Sequence, residues 1–369
     1  MSLAQLLMLP SLSDNALPTI TVPGAQSATS NVAKAITGTS ITDTDSNPQT
    51  VTLSVSHGTI FLASLTGLTG SGNGTNSLSY VGALAAINTA IATLTYTSTT
   101  DYEGADTLAI STSDGAGGSD SDTVAITVTW TPESIGANLL AWFDPSVNAY
   151  SDAGTTPAVA DDLLYQWISR AGSATITATQ ATSGNRPTYK VGANGKSWIY
   201  SAGDNRGLIT DYTTDYRRNI TVAVQLDPTD GGSSDAYSTV VSKNDGVAGG
   251  WLIGKKNTTE QFGITEPNVA GIAYDADSIG DAWHACAVTI SSNALSPDFK
   301  VYVDGTIKAN VNAAQVGVSV GSTINILCNS PLTSGNWKQG CGHIVLLTTE
   351  ADSTLIGKLN TFMAAQNPT

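Results

Sequence analysis

The chain has 369 residues, 12% of them charged and 41% hydrophobic, with a net charge of −15. That length calls for two or more cores and the composition can fill them, which excludes a single small domain and a disordered chain. The acidic balance argues against nucleic acid and anionic membranes as partners, since both need a basic surface.

Thr, Ser, Asn and Gly supply the polarity in place of charges, so strands and turns are expected throughout and the fold class is all-β. The first residues, MSLAQLLMLPSLSDN, are briefly apolar, lack a basic leader and are too short for a secretory signal. Residues 1–17 read either as an arm that docks on a partner or as a disordered tail. No later stretch is long enough to span a bilayer.

Residues 18–130 form a run of short strands. Thr50 to Val55 alternates apolar and polar residues, His57-Gly58 turns the chain, and Thr59 to Ala63 continues it. Ser71-Gly72-Asn73-Gly74 is a loop. The segment GALAAINTAI, from Gly82 to Ile91, is helix-like, with Leu84, Ile87 and Ile91 on one face. Strands follow over Ala92 to Thr97, Thr107 to Thr112 and Val124 to Val128. The stretch from SVSHGTIFLASLTG through LAAIN, LTYTSTTDYEGADTLAISTSDG resembles the bacterial cadherin-like repeats of adhesins and phage structural proteins. The resemblance implies an immunoglobulin-like sandwich acting as a spacer or stalk.

Asp43, Asp45, Asp101, Glu103 and Asp114 fall in the loops of this segment. Isolated loop carboxylates commonly cap turns. Calcium takes roughly six to eight oxygen ligands, and cadherin-like domains gather an Asp-x-Asp, an Asp-x-Glu and a later Asp at a domain end. The resemblance therefore implies Ca²⁺ as a candidate cofactor, although the full ligand set of cadherin junctions is missing.

Composition then shifts. Before Trp130 there is one basic residue, Lys34, against nine acidic ones; the other 14 Lys and Arg follow. A strand ending near Pro132 places a boundary at Trp130–Ser134 and gives a second domain over 131–369. Its opening, Leu139-Leu140-Ala141-Trp142-Phe143-Asp144-Pro145, is similar to phage-encoded laminin-G-like modules. So are Asn185-Arg186-Pro187-Thr188-Tyr189, Gly249-Gly250-Trp251 and the closing Trp337 to Leu347. In WHACAVTISSNALSPDFKVYVDG, Ala285 to Ile290 and Asp298 to Val303 read as paired strands and Asp304-Gly305 as a tight turn. This stretch resembles the concanavalin A-like, laminin-G-type lectins, which implies a two-sheet jelly roll that binds more often than it catalyses. A terminal helix is expected over Ser353 to Ala365, with Leu355, Ile356, Leu359 and Met363 apolar.

Of the seven Trp residues, Trp142, Trp251, Trp283 and Trp337 match core positions of that family, while Trp167 and Trp198 fall nearer loops. Trp167 and Trp198, with Tyr212 and Tyr216, are the candidate sugar-stacking residues; the two tyrosines could equally form a protein contact beside Arg217 and Arg218. Asp227 with Asp230, and Asp275 with Asp277, read as solvated turns or as rim ligands for calcium. Cys286, Cys328 and Cys341 read as buried thiols, with Cys328 and Cys341 able to pair.

Glycoside hydrolysis needs two carboxyls about 5–10 Å apart. On this sandwich they come from a Glu-x-Asp-x-x-Glu strand, and none of the five Glu residues lies in such a pattern. His57, His284 and His343 have no triad context, so the chain is expected not to be an enzyme. The resemblances imply a phage virion surface protein, a capsid decoration or tail-associated fibre, whose arm and first domain contact virion proteins and whose lectin-like domain adheres to glycans. The alternatives are an extracellular bacterial carbohydrate-binding adhesin and, third, a glycoside hydrolase. Homo-oligomerisation is left open.

Overall fold

The computed structural model describes residues 15–45, 48–202, 206–213, 219–227, 237–244, 250–256, 259–265, 273–279, 282–291, 297–312, 324–327 and 340–368. The expected docking arm up to Asp14, and Tyr216, Arg217, Arg218, Asp230, Cys328 and Trp337, lie outside the described residues. The chain is all-β and divides into two compact units, Met1–Ser134 and Ile135–Thr369. Among the described residues no helix is long and apolar enough to cross a membrane.

Period-two alternation builds the first unit. Its main strands are β1 (Gln26–Thr29), β2 (Gln49–Ser54), β3 (Leu68–Ser71), β4 (Ser77–Gly82), β5 (Gly104–Ser113) and β6 (Ser119–Thr129). They form one sheet in the order β1-β6-β5-β2-β4-β3. In β2, Gln49, Val51 and Leu53 are buried while Thr50, Thr52 and Ser54 are less so. Short strands Lys34–Ala35, Thr95–Ser98 and Gly58–Phe61 make a second sheet, and residues of both close on one core around Ile60, Tyr96, Leu53 and Leu108. Helix α1 (Leu84–Ile91) adds Ile87, Ala90 and Ile91 to it, with Leu84 partly buried against it.

Two asparagines serve as strand edges where the ladder stops. Asn88 accepts from Ile41 N and donates to Ile41 O, both at 2.8 Å, fastening α1 to its neighbour. Asn73 does the same for Leu62, at 2.8 and 3.0 Å. Asp106, 5% exposed, anchors the other end. Its carboxylate accepts from Ser56 N (3.0 Å), His57 N (2.9 Å) and the Tyr96 hydroxyl (2.9 Å). Burial raises its pKa, but the hydrogen bonds from Ser56, Thr107, His57 and Tyr96 outweigh burial and hold the carboxyl below its usual range.

The second unit places two sheets face to face. One contains β7 (Leu139–Phe143), β8 (Thr188–Val191), β9 (Ser197–Tyr200), β10 (Ile220–Leu226), β11 (His284–Ile290), β12 (Asp298–Val303), β13 (Thr306–Asn312) and β14 (Gly340–Leu347). Their order is β8-β9-β14-β10-β11-β12-β13, with β7 also on β14. The expected Asp304-Gly305 turn joins β12 to β13, both residues at positive φ (50° and 76°), as a two-residue hairpin requires. The opposing sheet runs from Ala149–Tyr150 to Ala273–Tyr274 across nine strands among the described residues. Both sheets feed one core that includes Trp167, Trp251, Phe262, Val288 and Ile344.

Helix α2 (Ser353–Ala364) is capped by Asp352, whose carboxylate accepts from Leu355 N at 2.8 Å. It packs on β10 and β11, where Ala223, Ala285 and Ala287 leave room for Ile356, Leu359 and Met363. Cys286 and Cys341 are free and fully buried, and burial pushes both thiols well above their ordinary pKa.

Asp106→Ala strips the acceptor from three backbone N–H groups, those of Ser56, His57 and Thr107, and from a buried hydroxyl, each lost bond costing about 1–3 kcal/mol. Urea titration of the full chain should show the first unit destabilised by at least about 2 kcal/mol. Because the folded carboxyl titrates below its unfolded value, its contribution is present above about pH 4 and is lost as pH falls through the folded pKa. An unchanged first unfolding transition in the variant would refute the anchoring role.

Candidate functional site

The β8–β9 hairpin has two unlike faces. Tyr189 and Ile199 point into the core, so alternation sends Lys190, Trp198 and Tyr200 to the outer face, and Lys196 lies in the turn just before β9. Trp198 is half-buried and meets the half-buried Trp283 edge to face, ring centroids 6.1 Å apart. The pair sits over Gly340 at the start of β14: a methyl group there would lie 2.9 Å from the Trp283 ring and 3.1 Å from Trp198 Cδ1. Such edge-to-face pairs add about 0.5–1.5 kcal/mol beyond area burial. Lys190 lies directly across the hairpin from Trp198, with its Nζ 5.9 Å from the Tyr200 ring centroid. The hairpin turn is tied to the end of α2 by Asn194 Nδ2 donating to Asn367 O (3.0 Å) and Lys196 Nζ donating to Gln366 Oε1 (2.6 Å).

A buried charged network lies on the same outer side. Asp144, 3% exposed, accepts from Arg170 Nη1 at 2.7 Å and from Ser146 N and Oγ at 2.9 and 2.7 Å. Arg170 also covers the Trp142 ring at 4.7 Å. Trp142 Nε1 donates to His343 Nδ1 at 3.1 Å. An indole can only donate, so Nδ1 is the acceptor and the imidazole proton sits on Nε2. His343 is therefore neutral, and its 3.9 Å approach to Asp144 is no ion pair. Its pKa is pushed down to about 4, by burial first and then by the charges of Lys196 and Arg170, against the pull of Asp144. Burial works against the Asp144 charge, but the donors of Ser146 and the Arg170 guanidinium favour it, and this carboxyl stays below its usual range.

The structure sorts the sequence candidates. Trp198 lies on the outer face of β9, half-buried. Trp167 is a correction: it is 0% exposed, donates to the Asp144 carbonyl at 3.1 Å and stacks edge-on to Phe143, so no ring face is open to a sugar. Tyr212 is half-buried against the core, and Tyr216 lies outside the described residues. Trp283, expected in the core, is the second correction and is the aromatic residue that sequence reasoning missed. A Trp followed by a polar His at a strand start was the signal for it. Trp142 and Trp251 are buried as expected. Asp275 is buried and accepts from Asp277 N at 3.0 Å, a turn.

The five calcium candidates are not brought together. Asp101 and Glu103 precede β5 and Asp114 follows it, so the ten residues of β5 separate them by roughly 30 Å. Asp43, Asp45 and Asp114 share one end, but their oxygens accept from the chain's own N–H groups. Asp43 takes Asp45 N and Gln49 Nε2, Asp45 takes Ala16 N, and Asp114 takes Asn15 Nδ2, Ala116 N and Gly118 N. Among the described residues no group of three or more His, Cys, Asp or Glu is arranged to hold a metal ion. The donor set does not fit a shared calcium ion.

No protein-family model matches the chain, and no curated protein does. Among solved structures it is similar to the Trypanosoma rangeli sialidase (14% identity, TM-score 0.39, covering 62% of this chain and 33% of that one). It is similar to domain 4 of AbnA, a GH43 extracellular arabinanase from Geobacillus stearothermophilus, in complex with arabinotriose (13% identity, TM-score 0.42, 61% and 98%). It is also similar to the receptor binding domain of botulinum neurotoxin D (12% identity, TM-score 0.37, 63% and 56%). The chain spans about a third of the length of the sialidases it matches. The expectation of a chain that is not an enzyme is corrected: sialidases are among these matches, and a missing Glu-x-Asp-x-x-Glu strand does not exclude catalysis.

Between about pH 6.5 and 4 the unfolded chain binds a proton at residue 343 that the folded chain rejects, so stability falls as pH falls through that window. His343→Gln keeps an acceptor for Trp142 and removes the titrating ring. Thermal unfolding at pH 7, 5.5 and 4 should show a smaller loss of Tm in the variant. Parallel curves would mean that His343 is not the group responsible.

Proposed function

We propose that this chain is a carbohydrate-binding surface protein, with the second unit reading the sugar and the first acting as a spacer. The observation that carries the reading is the partly exposed Trp198–Trp283 pair on the outer face of the eight-stranded sheet. A sugar ring presents C–H groups that pack on an indole face, and two tryptophans fixed at an angle offer more than one such surface. The motif resemblances to laminin-G-type lectins and cadherin-like repeats support the same division of labour. They also support carriage on a phage particle, where many copies would offset weak affinity for each glycan.

A glycan array probed with the full chain tests the binding role, with hydrolysis products monitored in the same wells. Trp198→Ala should weaken binding of retained glycans by about tenfold in a variant that still unfolds cooperatively, with Tm lowered by the loss of the pair with Trp283. An array on which the chain and the variant behave alike would sink the reading. Cryo-electron microscopy of particles from the source tests the carriage; particles without density for the chain would rule it out.

A further inference from the structure

We infer that the Trp198 face selects a sugar bearing a negative charge, a carboxylate or a sulfate; this rests on the glycan-binding reading above. The chain carries net charge −15, yet from Arg186 to Tyr200 it has three basic residues and no acidic one. Two of the three flank the tryptophan. Lys190 is its direct cross-strand partner, which places the Cβ atoms about 4.5–5.5 Å apart. Lys196 precedes it by two residues, at the end of the hairpin turn just before β9. A pyranose stacked on Trp198 would have both ammonium groups at its rim.

Each ammonium has an internal partner that leaves it capacity. Lys196 Nζ donates to Gln366 Oε1, a neutral acceptor, and keeps two further donors. Lys190 Nζ pairs with Asp161, which is 74% exposed on its side chain. Pairs of that kind contribute about 0–1 kcal/mol, so a better-placed anion can displace the carboxylate. Asp161 thus holds Lys190 over the hairpin when no ligand is present and competes with an anionic ligand when one arrives.

The test is calorimetric titration of the full chain with three probes: a galacturonic acid oligosaccharide, its neutral methyl ester, and a sulfated galactan oligosaccharide. The acid or the sulfated probe should bind about tenfold tighter than the ester, the worth of one charge-assisted hydrogen bond. Added salt should erode that advantage. The double variant Lys190→Gln with Lys196→Gln, which retains a hydrogen-bonding group near Gln366, should bring the charged probes down to the ester and leave the ester unchanged. Asp161→Asn should strengthen the charged probes. Preference for the acid over the sulfated probe, or the reverse, assigns the anion. Equal affinity for acid and ester, or lysine variants that weaken all probes alike, would overturn the charge selection while the glycan reading stands. Binding that Trp198→Ala leaves untouched, or no binding of any probe, overturns the glycan reading and the selection with it.

Discussion

A sheet has two faces, and the core of the second unit covers one face of the eight-stranded sheet. The other face must be dealt with separately, and the arrangement of this unit follows from that. Over β10 and β11 the outward positions are Ala223, Ala285 and Ala287, and α2 lies on them. Gln225 reaches from the sheet to the end of that helix, donating to Met363 O at 2.8 Å and Asn367 Oδ1 at 2.7 Å, while its own oxygen accepts from His343 N at 3.2 Å. The helix end is thus fastened by a buried amide whose groups have partners, as burial of a polar side chain demands.

The charged network beneath Phe362 depends on the same cover. Trp142 and His343 both pack against Phe362, at ring distances of 5.4 and 5.2 Å. A neutral histidine suits this place, since a second cation beside Arg170 would repel it and lose its hydration. Asp144 then has one charged partner, Arg170, and the hydroxyl and backbone donors of Ser146. Removing one member of such a set leaves a buried charge uncompensated, which costs more than the pair itself contributes.

Much of the fold was legible because it rests on local rules. Alternation in Thr50–Val55 and in Thr123–Thr129, the Asp-Gly turn and the apolar stripe of α2 are visible in the chain, and the structure follows them. The tryptophans were not legible. Trp167 and Trp283 both stand beside loops, and what separates them is a partner far along the chain: the Asp144 carbonyl and Phe143 for one, Gly340 and Trp198 for the other. The carboxylates were half-legible. A strand between Glu103 and Asp114 is already evident in Thr107 to Thr112, and its length alone keeps those two apart, whereas the N–H groups that occupy Asp43 and Asp114 come from Asn15, Gln49 and Gly118 and could not be foreseen from spacing.

The outer aromatic pair is what remains of the sheet face where α2 ends. Its position is set by supports beneath and beside it. Tyr189 and Ile199 pin the hairpin into the core, Asn194 and Lys196 tie its turn to Asn367 and Gln366, and Gly340 provides the only side-chain size that lets both rings settle on β14. A face held from three directions loses little conformational freedom when something lands on it, and recognition there draws on ring area and charge instead of spending them on ordering the hairpin.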